Sequence, residues 1–168
     1  FYSSAKEDIF AMQFLPAETV TPTPSEGLPN AGDEFVIYNQ NAKGVLAAQS
    51  DSKTIEMAPA TIENEKAIPE NGAVVFTVER NGDYYRFKSD AYGYLCSNGT
   101  GRNAFYSKDF SEEGVTENDA DWLVRECSGG AGGFEMESRT AKYKGHSQWL
   151  EYFTGVFQTF SMYQVTDY

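Results

Sequence analysis

The chain has 168 residues, a length that fits one domain with a core of its own. Its formal net charge of −12 argues against nucleic acid as a partner, because binding to a phosphate backbone requires a basic face. No apolar run approaches the roughly 18 residues of a membrane-spanning helix, so no membrane partner is expected, and the first residues lack the basic and apolar regions of a signal peptide.

Aromatic residues make up 15% of the chain, with 11 Tyr and 12 Phe, and many stand in short runs with Val, Ile and Thr. This usage favours β-strands. The first such run, IFAMQFLP at residues 9–16, predicts a strand within an N-terminal segment of residues 1–20. The Pro-rich stretch that follows, residues 21–32, predicts an extended linker.

Residues 33–80 and 81–126 are two similar copies of one unit. Between residues 39–46 and 88–95, three identities coincide without a gap: Ala42/Ala91, Gly44/Gly93 and Leu46/Leu95. Just upstream, FVIYN (35–39) falls on YYRFK (84–88), which predicts that Val36 and Tyr38 share a face with Tyr85 and Phe87. Each copy closes with a further strand, and Phe76 of the first matches Trp122 of the second.

A third copy covers residues 127–168, where Leu150 matches Leu46 and Leu95. Phe134 and Met136 take the places of Tyr85 and Phe87, and extra residues follow at 140–148. This copy has no closing strand, whereas residues 9–16 have the required apolar pattern. The N-terminal segment is therefore predicted to be the closing strand, in permuted order, or else the tail of a preceding module.

Three copies of a strand–Gly–strand–turn–strand–loop–strand order predict twelve strands. This order, with its aromatic closing strands, resembles a β-trefoil over nearly the whole chain outside the linker. We therefore expect an all-β domain with pseudo-threefold repeats of four strands. A β-sandwich and another all-β barrel are the alternatives.

The loop NGTGRN (98–103) suggests a phosphate-binding loop, a glycosylation sequon or a hairpin turn. A phosphate loop requires a following helix whose N-terminus faces the anion. Here the next residues, NAFYSK, alternate like a strand, and the loop lies between the second and third strands of its copy. The sequence therefore favours a hairpin turn.

Catalysis and tight metal binding lack a recognisable motif. His146 is the only histidine, without a GxSxG motif, so we expect no enzyme. Cys96 and Cys127 fit no zinc spacing and are expected either to be buried thiols or to form a disulfide. The acidic loop at residues 109–121 lacks EF-hand spacing, so a solvated loop is expected, with calcium as the alternative and no cofactor required.

Sugar binding uses an aromatic face together with polar groups that bond hydroxyls. If the shared leucines point inward, their neighbours Val45, Tyr94 and Trp149 point outward, as do Ala47, Cys96 and Glu151. The predicted ligand-binding residues are Trp149, Glu151, Tyr94, Asp90, Asn98, Tyr92 and His146.

The trefoil resemblance implies a function as well as a fold. β-Trefoils similar to ricin-type lectins bind sugars and are often attached to secreted glycan-active enzymes, although their repeated Gln-x-Trp signature and paired cysteines are missing from this chain. The resemblance implies a non-catalytic carbohydrate-binding module of a secreted bacterial multidomain protein, outside the cell or at its surface. Its partners would be a glycan and other modules of the same polypeptide. The alternative is a structural or protein-interaction domain.

Overall fold

A computed structural model describes residues 9–15, 28–49, 53–63, 66–69, 72–127 and 133–161. The all-β prediction is confirmed: in these ranges the regular structure is antiparallel strand, apart from one 3-10 turn at Glu117–Ala120. None of the described residues forms a helix that is long and apolar enough to cross a membrane. Predictions that concern residues 1–8, 16–27 and 162–168 fall outside the described ranges.

The described ranges contain thirteen strands, each with at least one aromatic or β-branched residue, the types that favour strands. Their bounds are β1 Met12–Leu15, β2 Glu34–Asn39, β3 Gly44–Gln49, β4 Ile55–Glu63, β5 Lys66–Pro69, β6 Phe76–Asn81, β7 Tyr84–Ser89, β8 Gly93–Cys96, β9 Phe105–Ser107, β10 Trp122–Glu126, β11 Phe134–Tyr143, β12 His146–Phe153 and β13 Val156–Phe160. The strand without a counterpart among the predicted twelve is β5, which pairs with the extended end of β4.

Six of these strands pair in a closed ring. The N-terminal strand β1 pairs with β2 on one side and with β11 on the other. β6 joins β2 to β7, and β10 joins β7 to β11. Because each ring strand has neighbours on both sides, the ring leaves no strand edge unpaired along these ladders.

Three hairpins extend from the ring, one after each of β2, β7 and β11. They consist of β3 with β4, β8 with β9, and β12 with β13. The first and third hairpins also pair with each other through β13 and β4.

The ring and the hairpins enclose the main apolar core. Its largest buried side chains include Trp122, Phe76, Phe87, Phe157, Met12, Ile37, Met136 and the three leucines Leu46, Leu95 and Leu150. The prediction that these leucines point inward is confirmed, since each has no exposed surface.

The expected register of β2 is wrong by one residue. Phe35 and Ile37, not Val36 and Tyr38, share the main core with Tyr85 and Phe87. The cause is the length of the turn: Asn39 pairs with Gly44 across four residues, whereas Ser89 pairs with Gly93 across three. A one-residue difference exchanges the two faces of a strand.

The other face of β2 is buried as well. Val36 and Tyr38 pack with Val45, Ala47 and Ala58 in a second apolar cluster. The expectation that Val45 and Ala47 point outward therefore does not make them accessible, because this cluster covers them.

The extra residues of the third copy lengthen a hairpin. β11 and β12 continue to the pair Tyr143–His146, with a shift in register between Glu137 and Lys142. Within the described part of the linker, residues 28–32, Leu28 packs against the main core. The linker is thus in contact with the domain at its C-terminal end.

Candidate ligand-binding surfaces

The structure brings Asp90 and Tyr92 together in a shallow cleft of about 260 Å³. The turn after β7 forms one wall, and the segment leading into β6 forms the other. The residues that matter for its chemistry are Glu34, Val75, Thr77, Ser89, Asp90 and Tyr92. Val75 and Tyr92 are among the few large apolar side chains that the described residues expose, at 36% and 38%.

Tyr92 is held as a platform by a second aromatic ring. It stacks on Tyr106 with centroids 5.2 Å apart and planes 25° apart. Tyr106 is fixed in turn, because its hydroxyl donates to the Ala47 carbonyl over 2.7 Å and its N–H donates to Gln49 Oε1 over 2.9 Å. Burial raises the pKa of Tyr106, so this hydroxyl stays protonated. The exposed part of the Tyr92 ring thus needs little ordering to receive a ligand.

The turn that carries Asp90 is shaped by its flanking residues. The buried Ser89 hydroxyl accepts the Ala91 N–H over 3.3 Å, and Gly93 closes the turn at a φ of +84°. Asp90 is exposed, and its carboxylate, like that of Glu34 across the cleft, makes no hydrogen bond or ion pair with any described residue. Both carboxylates are therefore available to a ligand.

A second candidate surface lies on the face of the β12–β13 hairpin opposite Leu150, where Trp149 pairs with Phe160 and Glu151 with Gln158. Arg102 reaches this face from the NGTGRN loop, with its guanidinium 4.1 Å from the Phe160 ring centroid. Trp149 is half-buried, and no ring of a described residue stacks on it. We call these five residues the Trp149 surface.

Glu151 is the unusual member of the Trp149 surface. It is only 2% exposed, and it accepts a hydrogen bond from Gln158 Nε2 over 2.8 Å. Burial raises its pKa, and the bond from Gln158 and the charge of Arg102 offset only part of that rise. The matching residues Ala47 and Cys96 are also buried but apolar. Glu151 was predicted to point outward, but in the structure its carboxylate is buried.

Glu151 predicts how stability depends on pH. Because its folded-state pKa is raised, the free energy of unfolding should fall as pH rises from the ordinary glutamate value of 4.5 through the folded-state pKa. Glu151→Gln keeps an acceptor for Gln158 but removes the titration. Urea unfolding over a pH series should show the variant gaining stability relative to the parent as pH rises through that window, and more stable than the parent at neutral pH. Parallel curves for the two proteins would contradict this assignment.

Tyr94 takes part in packing and in an ion-pair network. Its ring stacks on Phe110 with centroids 5.0 Å apart, and its hydroxyl donates to the Glu79 carboxylate over 3.0 Å. The Lys88 ammonium lies 5.4 Å from the ring centroid and 3.9 Å from Glu79. Burial, followed by the hydrogen bond to Glu79, raises the pKa of Tyr94. These contacts leave less of Tyr94 for a ligand than of Tyr92.

Asn98 forms hydrogen bonds that hold the NGTGRN loop in place. Its Nδ2 donates to the Gly114 carbonyl over 3.2 Å and to Asp119 Oδ2 over 3.3 Å. Asn103 Nδ2 donates back to the Asn98 carbonyl over 2.8 Å. The amide of the sequon is thus committed to loop structure. His146, the last of the predicted ligand-binding residues, is exposed at the tip of the β11–β12 hairpin and does not line the cleft.

Two carboxylates of the acidic loop accept hydrogen bonds from other residues of the protein. Asp119 accepts from the Thr116 N–H and the Thr140 hydroxyl, and Glu112 accepts from the Ser107 hydroxyl. Across the described ranges, no three His, Cys, Asp or Glu side chains converge as a metal site. No disulfide joins Cys96 to Cys127.

Comparison of the chain with protein-family models, curated protein sequences and solved structures finds no match. The candidate surfaces therefore depend on geometry and chemistry alone.

Several contributors to both surfaces were not predicted from the sequence. Glu34 and Val75 line the cleft from another copy of the repeat, and no local motif connects them to Asp90. Gln158 and Phe160 could have been found from the alternating pattern of their strand, because that strand forms a hairpin with the strand of Trp149 and Glu151. The alignment of Glu151 with Ala47 and Cys96 could have marked that position as exceptional.

Proposed function

We propose that this chain is a β-trefoil that binds carbohydrate without catalysis, with the sugar ring seated on Tyr92. The observation that carries the function is the open Tyr92 platform beside Asp90 in a concave cleft. An apolar ring face packs on the tyrosine, while the carboxylate accepts hydrogen bonds from hydroxyls.

Repeated cross-strand pairs support the trefoil. The closing strands β6, β10 and β1 each place one large apolar residue opposite an aromatic residue of β2, β7 or β11. The pairs are Phe76 with Phe35, Trp122 with Tyr85, and Met12 with Phe134. One hydrogen bond also recurs once in each copy, in which a buried polar side chain accepts an alanine N–H: Asn39 from Ala42, Ser89 from Ala91, and Ser138 from Ala141. The first two lie in the turns after β2 and β7, and the third lies within the register shift of β11. A sandwich of two separate sheets would not require such threefold recurrence.

Removing the Tyr92 ring tests the function. Tyr92→Ala should weaken binding to the best ligand on a glycan array by about thirtyfold, as expected for a central aromatic anchor. Tyr143→Ala, which removes a half-buried tyrosine near the tip of another hairpin, is the matched control and should bind normally. Equal binding by Tyr92→Ala and the parent would overturn the cleft as the site, and absence of any glycan ligand would overturn the function.

A protein-interaction role is the second candidate, and the Trp149 surface favours it. Next to that surface Phe153 is 44% exposed, and the Arg102 guanidinium lies 5.9 Å from its ring centroid. Aromatic residues and arginine are the side chains most enriched in protein interfaces. Trp149→Ala separates the candidates: a sugar site in the cleft tolerates this change. Location outside the cell and attachment to other modules stay predictions.

A further inference from the structure

We propose that the cleft prefers sugars with a free amino group over neutral and acidic sugars. This inference rests on the proposed function and specifies its ligand. The cleft has two carboxylates among its lining residues, Glu34 and Asp90, and no Lys, Arg or His. A protonated amine is the sugar substituent that matches such a lining.

The two carboxylates come from different parts of the chain and belong to residues that line the same cleft. Glu34 begins β2 and pairs with Thr77, which also lines the cleft. Asp90 follows β7 in the turn that presents Tyr92. Both side chains are exposed, and neither has a partner among the described residues. Their charge is therefore available to a ligand.

The neighbouring cation is engaged elsewhere. Lys88 pairs with Thr77 in the β6–β7 ladder, so its backbone lies next to the cleft. Its ammonium nevertheless lies 3.9 Å from Glu79 and over the Tyr94 ring. The cleft thus keeps the negative charge of Glu34 and Asp90, within a chain whose net charge is −12.

Charge and size together define the ligand. A hydroxyl donates one hydrogen bond to a carboxylate, whereas an ammonium carries several donors, the opposite charge and an attraction to the Tyr92 ring. A sugar carboxylate would be repelled by both acids. The volume of about 260 Å³ lies just below the range of sites for drug-sized ligands, so the cleft is suited to a single ring or the end of a chain.

Titration with three matched ligands tests the preference: glucosamine, N-acetylglucosamine and glucose oligomers of equal length. Acetylation removes the charge while the sugar ring stays. Glucosamine should bind about fivefold more tightly than the other two for each carboxylate engaged, and added salt should reduce this advantage. Glu34→Gln should remove much of the preference while binding of the neutral oligomers persists.

Glu56→Gln provides the control, because it makes the same change in charge at an exposed residue of β4 outside the cleft. It should leave the preference intact. Equal binding of all three oligomers would overturn the inference and leave carbohydrate binding standing. Binding of none of them by the parent, together with an empty glycan array, would overturn the proposed function as well. Loss of the preference in Glu56→Gln would assign it to overall charge and overturn the site.

Discussion

Asp121→Asn should destabilise the fold by about 3–5 kcal/mol, the range measured when one partner of a buried ion pair is removed. The Asp121 side chain has no exposed surface. It accepts Arg86 Nε over 2.6 Å, Arg139 Nη1 over 2.7 Å and Asn81 Nδ2 over 2.9 Å. These donors belong to β7, to β11 and to the end of β6, so this one carboxylate connects three ring strands.

The size of the effect follows from what is left behind. The Arg86 side chain is only 15% exposed, and its hydrogen bond to Asp121 raises its pKa. In the variant, a buried guanidinium loses its buried counter-charge and keeps only the exposed Glu117, and the new amide group presents a donor towards other donors. Urea unfolding at neutral pH would measure the loss as a lower midpoint with an unchanged slope.

Glu117→Gln is the matched control, because Glu117 lies 3.5 Å from the same Arg86 but its side chain is 71% exposed. Exposed ion pairs contribute about 0–1 kcal/mol, so this variant should unfold close to the parent. Comparable losses in the two variants would show that burial does not set the strength of the Asp121 network.

The sequence predicted the strands better than it predicted their pairing. The alternation that buries Tyr85 and Phe87 is a local property of one strand, and it was visible without knowledge of the partners. The register of β2 depended on one additional residue in the turn after Asn39, and an ungapped match of Gly44 to Gly93 could not show which side of the glycine held the difference. A local match therefore gave the correct hairpin and the wrong face of β2.

The candidate binding residues show the same contrast between local sequence features and long-range pairing. Asp90 and Tyr92 are close in the chain, and their shared turn places both in the cleft. Tyr94, with Trp149, was the stacking residue that the sequence favoured, yet Phe110 covers the Tyr94 ring from a loop whose conformation no pattern predicted. Glu34 was not foreseen, because it reaches the cleft only through its pairing with Thr77. Long-range pairing, rather than residue type, decides which polar groups meet.

The glycine that ends the cleft turn provides the second large effect. Gly93→Ala should destabilise the fold by about 2–5 kcal/mol, the sum of left-handed backbone strain and overpacking. Gly93 has a φ of +84°, and an added Cβ would overlap the Ser107 carbonyl oxygen and lie 2.6 Å from Lys108 Cα. Both obstacles are backbone atoms, which a side-chain rotation cannot move aside.

Gly99 separates the two contributions. It also has a positive φ, +70°, but an added Cβ there would meet nothing within 4 Å, so Gly99→Ala should show the backbone strain alone, about 1–2 kcal/mol. The difference between the two urea midpoints then reports the cost of overpacking where Gly93 approaches Ser107 and Lys108. Because Gly93 directly follows Tyr92, Gly93→Ala should also displace the aromatic platform and weaken sugar binding, whereas Gly99→Ala should not. Equal losses of stability in the two variants would mean that the close approach at Ser107 relaxes freely.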